Sequence, residues 1–234
     1  MALGGGVTLR AVLFDVDFTL ARPGPELGPE GYRRLGERFG MELDPARYDE
    51  ARLFARDRLQ HHPEFRHDEE IWVAFTEEII RGMGGEPPLA REAAAEMTRS
   101  WDRHDNFDLY EDALPVLEEL RRQELKIGLV SNTGRDLDAF LAHHAIPCDA
   151  ALASGAHGWV KPHRSIFEAV LTRLGVAPEE AAMVGDSPQD DIEGARALGM
   201  QAFLLDRDGR HPEWEQRLPD LYALPAALGL PRPT

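Results

Sequence analysis

Two aspartates directly after a short apolar run are the residues of this sequence best suited to do chemistry. Asp15 and Asp17 follow residues 11–14 (Ala-Val-Leu-Phe), and Thr19 comes two residues later. The apolar run is too short for a helix and has the length of a buried strand. Carboxylates at the end of such a strand are costly unless they bind something. Open α/β sheets bind their ligands at the carboxyl edge, so this stretch is a candidate site.

Two further apolar runs, at 126–130 and 181–184, end in polar residues in the same way. The polar residues are Ser131 and Asn132 after the first run, and Asp186, Asp190 and Asp191 after the second. Because parallel strands share one carboxyl edge, these side chains are expected to converge although they are far apart in sequence. Lys161 lies in a glycine-flanked loop that could reach the same edge.

This set of residue types is typical of phosphoryl transfer. Several carboxylates repel one another unless a cation lies among them, and oxygen ligands without His or Cys suit Mg²⁺. A hydroxyl, loop amides and an ammonium group suit the phosphoryl oxygens. One aspartate can attack phosphorus and form an acyl phosphate. A second aspartate can protonate the leaving oxygen and later activate water.

The four motifs resemble, in order, the four signatures of the haloacid dehalogenase (HAD) superfamily. They are DVDFT from Asp15, SNT from Ser131, KP from Lys161 and GDSPQDD from Gly185. The resemblance covers nearly the whole chain, and the four motifs together are highly specific. It implies an α/β fold with a Rossmann-like parallel sheet core, an inserted helical cap of the C1 class, and phosphatase activity with Mg²⁺ as cofactor.

The resemblance also implies a role for each motif residue. Asp15 would be the nucleophile and a metal ligand, and Asp17 the general acid/base, with its backbone carbonyl on the metal. Asp186 would be a further metal ligand. The other implied roles are phosphate binding by Thr19, Ser131, Asn132 and Lys161, with Ser131 and Lys161 also catalytic, and support of the metal shell by Asp190 and Asp191. Which of the last two matters more stays open.

One position departs from the family pattern. Phe18 stands after the second aspartate, where the family usually has glycine. Glycine tolerates unusual backbone angles, so a bulky residue here is expected to reshape the entrance to the site. The chemical groups stay intact, and we interpret Phe18 as a clue to specificity.

The pattern of elements places a core at residues 1–21 and 106–234 and a cap at 22–105. Residues 21–29 are rich in Pro and Gly and are predicted to be a linker. The predicted cap helices cover 30–39, 45–59, 68–83 and 89–101. In the cap, the pattern of Arg52, Arg56 and Arg58 could face an anionic substrate, and that of His61, His62 and His67 with the acids that follow could form a metal site. We interpret the arginines as a solvated helix face and the histidines as a solvated loop.

Composition limits the partners and the location. The 234 residues carry a formal charge of −16, which argues against nucleic acid or an anionic membrane as partner. A metal and a lysine can still reverse the sign locally for a small phosphorylated metabolite. Cys148 is the only cysteine, so no internal disulfide forms, and the start of the chain lacks a signal-peptide pattern. These features favour the cytoplasm.

Several alternatives share this fold. A phosphomutase stays open, as do phosphoglycolate, a nucleoside monophosphate or a sugar phosphate as substrate. Asp17 and Asp186 count against 2-haloacid dehalogenation, which needs no metal. No lysine precedes Lys126, which counts against phosphonate cleavage through a cap lysine. The intact motifs also count against a catalytically silent binding module. The sequence does not indicate an oligomeric state.

Overall fold

The computed structural model describes residues 2–3, 7–59 and 61–231, which form a parallel sheet with helices around it. The strands are β1 (Ala2–Leu3), β2 (Val7–Thr8), β3 (Ala11–Phe14), β4 (Ala21–Pro23), β5 (Phe107–Leu109), β6 (Lys126–Ser131), β7 (Ala150–Ala153), β8 (Ala181–Gly185), β9 (Gln201–Leu205) and β10 (Arg217–Leu218). Six of them form one parallel sheet in the order β10-β9-β8-β3-β6-β7. This confirms the predicted α/β fold class with a parallel core sheet.

Strand β3 lies inside the sheet because all four of its residues are apolar and fully buried. Successive side chains of a strand point to opposite faces. Val12 and Phe14 accordingly join one hydrophobic cluster, and Ala11 and Leu13 join a second. Both faces of the sheet are therefore covered, as expected for parallel strands.

Helices supply both covering layers. They are α1 (Pro29–Arg38), α2 (Tyr48–Asp57), α3 (Glu69–Gly82), α4 (Leu89–Trp101), α5 (Ala113–Arg122), α6 (Leu137–His144), α7 (Ser154–His157), α8 (Arg164–Leu174), α9 (Gly194–Arg196) and α10 (Leu224–Ala227). Leu117 and Leu120 of α5 pack in the first cluster, whereas Phe167 and Val170 of α8 pack in the second. The two helices therefore cover opposite faces.

Helices α1 to α4 form an insertion between two short strands, β4 and β5. These strands pair in antiparallel fashion, with Ala21 opposite Leu109 and Pro23 opposite Phe107. The prediction that 21–29 is only a linker was wrong for its first three residues. Their strand partner lies far along the chain, and Pro23 weakens the local strand signal because it has no backbone N–H.

The predicted helices of the insertion are confirmed with small shifts at their ends. The exception is 45–59, which is divided into a 3₁₀ turn, Pro45–Arg47, and helix α2. Asp44 caps the turn by accepting a hydrogen bond from the backbone N of Ala46. Among the described residues, none of the helices has the length and apolar character needed to cross a membrane.

Candidate active site

Three central strands end level with one another, and this alignment brings the predicted site residues together. Phe14 of β3 is paired with Leu129 of β6 and with Val184 of β8. The backbone N of Asp15 continues the pattern by donating to the carbonyl of Val184 at 2.9 Å. The polar side chains carried by these strand ends are those of Asp15, Ser131 and Asp186.

Lys161 is buried between two carboxylates. Its Nζ atom lies 2.5 Å from Oδ1 of Asp15 and 2.7 Å from Oδ1 of Asp191. Asn132 fixes the lysine loop: its Oδ1 accepts from the backbone N of Lys161 at 2.7 Å, and its Nδ2 donates to the carbonyl at 3.1 Å. Asn132 was expected to bind the phosphate. In the structure its side chain instead bonds the backbone of Lys161.

Three carboxylates crowd together beside this lysine. Oxygens of Asp15, Asp186 and Asp191 lie within 4.8 Å of one another. Burial raises the pKa of Asp15 well above its usual range; the charge of Lys161 opposes this, and Asp191 and Asp186 add to it. Burial, and then repulsion from Asp191, raises the pKa of Asp186 to about 7. The folded chain therefore holds these groups in the charged state only at a cost.

The cluster fits a divalent cation. Burial alone would lower the pKa of Lys161, but the carboxylates of Asp15 and Asp191 outweigh burial and raise it, so the ammonium is charged. The cations beside the three carboxylates are Lys161 and, at 3.5 Å from Asp186, Arg56, so an excess of negative charge is left. A divalent cation would compensate that excess, and carboxylate oxygens without nitrogen or sulfur donors suit Mg²⁺.

Asp190 and Asp191 lie on one π-helical turn, Pro188–Glu193, but point to different partners. Asp191 joins the acidic cluster and packs against Gly185, where an added Cβ would lie only 2.2 Å from Asp191 Oδ2. Asp190 instead accepts from Nδ2 of Asn132 at 3.3 Å and contacts Nε2 of His61 at 2.9 Å. Of the two acids left open by the sequence, Asp191 is the one beside Asp15 and Lys161.

The side chain of Asp17 is held by an arginine instead of joining the acidic cluster. Both carboxylate oxygens accept from Arg135, from Nη1 and Nη2 at 3.0 Å each. Arg135 is buried, its guanidinium carbon lies 3.6 Å from the ring centroid of Phe107, and its Nε donates to the carbonyl of Trp101. Bidentate pairing of this kind fixes the plane of a carboxylate.

The side chains of Thr19 and Ser131 are placed differently. Ser131 is buried and lines the same cavity as Asp15. Thr19 is fully buried and is not among the residues that line this cavity. The backbone carbonyl of Thr19 accepts from Nη2 of Arg207 at 3.0 Å. Thr19 therefore supports the loop after β3, and Ser131 faces the space where a ligand would bind.

A family model for haloacid dehalogenase-like hydrolases matches residues 9–199, which include all of these site residues. The chain belongs to this family.

Comparison with individual HAD proteins gives relatives of known activity. The phosphoserine phosphatase of Thermus thermophilus is 42% identical over 150 residues, which are 62% of this chain and 57% of that protein. The glyceraldehyde 3-phosphate phosphatase of Methanopyrus kandleri is 31% identical over 223 residues, or 91% of this chain and 90% of that protein. A HAD phosphatase structure from Thermococcus onnurineus has a TM-score of 0.64 at 27% identity, covering 96% of this chain and 100% of that one. The chain is an enzyme of the phosphatase type.

The HAD site opens into a cavity of about 950 Å³ between the sheet edge and the helical insertion. Asp15, Lys161 and their neighbours line it on the sheet side. On the insertion side its lining includes Trp72, Phe75 and Trp101. A cavity of this size holds a phosphate ester with a sizeable leaving group.

Phe18, at the position of the usual HAD glycine, lies on the wall of this cavity. Its φ of 64° is in the left-handed region, which costs an L-residue roughly 1–2 kcal/mol. Its ring centroid is 6.4 Å from that of Trp101 and 5.4 Å from the guanidinium carbon of Arg52. The strained residue therefore contributes an aromatic wall between the core and the insertion.

Three residues at the HAD site were missed by sequence reasoning. Arg56 and His61 were interpreted as solvated, which is wrong: Nη1 of Arg56 lies 3.5 Å from Oδ2 of Asp186, and His61 contacts Asp190. Arg135 was not singled out as a site residue; it lies in the loop between β6 and α6, which begins at Leu137. Its position four residues after Ser131, in a strand-end loop, was the one available signal for Arg135.

Proposed function

We propose that this HAD phosphatase is a Mg²⁺-dependent phosphomonoester hydrolase that works through an aspartyl-phosphate on Asp15. The supporting observation is the buried Asp15 carboxylate, which lies beside Lys161 and two further carboxylates on the floor of a ligand-sized cavity. The substrate is a small phosphorylated metabolite, a class that includes the phosphoserine and glyceraldehyde 3-phosphate of the relatives.

The proposed Mg²⁺ ligands are Asp15 and Asp186, with Asp17 contributing its backbone carbonyl as the family resemblance implies. Asp191 lies close enough to support the same ion and holds Lys161 as well. The bound ion would neutralise charge on the phosphoryl oxygens. Lys161 and the hydroxyl of Ser131 provide positive charge and a hydrogen bond to the same oxygens.

The reaction has two displacement steps at phosphorus. A carboxylate oxygen of Asp15 forms a bond to phosphorus, the ester P–O bond breaks, and the leaving oxygen takes a proton from Asp17. A water molecule, losing a proton to Asp17, then attacks the acyl phosphate. The bond between phosphorus and Asp15 breaks, inorganic phosphate leaves, and both aspartates return to their starting states.

Arg135 gives Asp17 a defined orientation for both proton transfers. Because the guanidinium is packed on Phe107 and tied to the carbonyl of Trp101, it has little freedom of its own. We infer that Arg135 acts as a positioning residue, since it contacts Asp17 and not the reacting atoms.

The helical insertion is the proposed C1 cap, at residues 22–105, on a core of 1–21 and 106–234. Its side chains Arg56 and His61 contact the acidic residues of the core. We propose that it opens and closes about the two connecting segments, because chemistry needs a dry site and release needs an open one. The charge of −16 supports a partner that is neither nucleic acid nor anionic membrane, and the lone cysteine supports a cytoplasmic location.

Replacement of the nucleophile tests the proposal. We expect Asp15→Asn to abolish phosphate release from p-nitrophenyl phosphate, and wild-type turnover to need added Mg²⁺ after treatment with a chelator. Asp138→Asn, a change on α6 outside the cavity lining, is the matched control and should keep full activity. Unchanged turnover in Asp15→Asn would contradict the assigned nucleophile.

A further inference from the structure

A second, smaller cavity of about 280 Å³ adjoins the catalytic one. It lies between β4 and α2 on one side and the loop after β9 on the other. Phe18, Arg56, Asp186 and His211 line both cavities. Because Asp186 is also a proposed metal ligand, the second cavity borders the proposed metal site.

The second cavity is rich in arginine although the chain as a whole is strongly acidic. Its lining contains three acidic residues, Asp186, Asp206 and Asp208, in a chain with a formal charge of −16. The arginines around it are more numerous, namely Arg22, Arg52, Arg56, Arg207 and Arg210. Local positive charge in an acidic protein attracts anions specifically to that place.

Two of these arginines, Arg22 and Arg52, have no acidic partner within the part of the chain that the structure describes. The other three do. Arg56 contacts Asp186, Arg207 makes a bidentate pair with Asp112, and the Nε of Arg210 is 3.8 Å from Asp208.

Arg22 and Arg52 instead lie over aromatic rings: the guanidinium of Arg22 is 5.7 Å from the ring of Tyr110, and that of Arg52 is 5.4 Å from the ring of Phe18. Stacking orients a guanidinium and leaves its N–H groups free to donate. Both arginines are therefore available for an anion.

We propose that Arg22 and Arg52 bind an anionic group, a carboxylate or a second phosphate, that belongs to the same molecule whose ester is cleaved at Asp15. This inference rests on the proposed function. Arg52 and Arg56 are four residues apart on α2, so their Cβ atoms are about 5–6 Å apart on one face. Since Arg56 contacts Asp186, the second anion lies a few carbon atoms from the cleaved ester. The substrate class is a short phosphorylated acid or a bisphosphate.

Matched substrate pairs test the proposal. 3-Phosphoglycerate is compared with glycerol 3-phosphate, O-phosphoserine with O-phosphoethanolamine, and a hexose bisphosphate with its monophosphate. We expect wild-type kcat/KM to be about tenfold or more higher for the member that carries the second anionic group, in at least one pair. Arg52→Gln and Arg22→Gln should each reduce that ratio about tenfold, mainly through KM, and Arg52→Lys should restore part of it.

The control is Arg58→Gln, which removes the same charge just after α2, at an exposed residue outside both cavities. It should leave the ratio unchanged. Circular dichroism of each variant checks the fold. Malonate should raise the melting temperature of the wild type more than that of Arg52→Gln, which measures anion binding without turnover.

The outcomes separate the proposals. No wild-type preference for the second anion in any of the pairs, or equal losses on both members of the preferred pair, would overturn the anion site. If Arg52→Gln changes only the malonate response and leaves the ratio intact, the occupant is a free anion and the assignment to the substrate fails. Absence of turnover of every ester, p-nitrophenyl phosphate included, would instead overturn the proposed function.

Discussion

At the sheet edge the charged groups are buried and compensate one another at short range, whereas on the helical insertion most of them are exposed. The side chain of Lys161 is 3% exposed and lies between Asp15 and Asp191. Arg33 on α1 also has two acidic neighbours, Glu30 and Glu37, but is 37% exposed. The number of ion pairs that a cation makes therefore does not measure how much those pairs contribute to stability. An exposed charge on the insertion that loses its partner is solvated by water, whereas a buried charge at the sheet edge is not.

The largest expected effect comes from removing the buried ammonium group. Lys161→Met should reduce kcat/KM at least about 10³-fold, and it should lower the free energy of unfolding by about 3–5 kcal/mol because buried carboxylates lose their counter-charge. Arg33→Met, the exposed counterpart, should change stability by about 0–1 kcal/mol. Urea denaturation in the absence of metal measures both. Equal destabilisation by the two variants would break the comparison.

Arg135 lies at the boundary between the two regions, since it joins Asp17 to the last helix of the insertion. Arg135→Met should lower kcat about 10²-fold with little change in KM, because Asp17 loses its orientation for proton transfer. Arg135→Lys should keep only part of the activity, since lysine cannot form the bidentate pair. Steady-state kinetics with p-nitrophenyl phosphate separate the two parameters. A rise in KM alone would show that Arg135 serves binding instead.

The pH dependence of stability reports on the carboxylates at the sheet edge. The pKa of Asp186 is raised from its usual 3.8 to about 7, so between these values the folded state binds more protons than the unfolded state. Metal-free protein should therefore lose stability from this group as pH rises from about 4 to about 7. Asp186→Asn should reduce that slope, and saturating Mg²⁺ should reverse it. Thermal melts at several pH values, with chelator and with Mg²⁺, provide the measurement. A dependence of stability on pH that is the same in Asp186→Asn and in the presence of Mg²⁺ would count against the acidic cluster.

The smallest effect is expected where the insertion touches the core. His61→Gln removes the partner of Asp190 but leaves Asp15, Asp191 and Lys161 in place. We expect a decrease in kcat/KM of only about three- to tenfold and a stability change below about 1 kcal/mol. His62→Gln, its neighbour without a carboxylate contact among the described residues, is the control. A loss as large as that of Lys161→Met would mean that the insertion takes part in chemistry.

The same contrast explains what could be predicted from the sequence. Strands β3, β6, β8 and β9 are short apolar runs, and the first three end in the polar residues that meet at the edge. Local pattern and parallel topology are enough to bring Asp15 and Asp186 together. The family resemblance implied that Asp190 and Asp191 support Lys161 and the metal shell, but it left open which of the two pairs with Lys161; the structure gives Asp191.

Contacts made by long side chains across the molecule could not be predicted. Arg56 and His61 are separated from their acidic partners by about 130 positions, and helical periodicity does not say which face meets the core. The pairing of β4 with β5 could not be predicted for the same reason, because each strand has only three residues and its partner is distant in sequence. The role of Arg135 depends on where Asp17 points, which spacing alone leaves open.

The ribbon of β4 and β5 means that the helical insertion leaves and rejoins the core at adjacent points. Pro23 and Phe107 are paired across this ribbon, so the roughly eighty residues between them are joined to the core only through these two adjacent strands. A segment attached in this way can be exchanged for another without cutting the parallel sheet. The leaving-group pocket could therefore diversify by replacing this segment, while Asp15, Lys161 and Asp186 keep their geometry on the scaffold beneath.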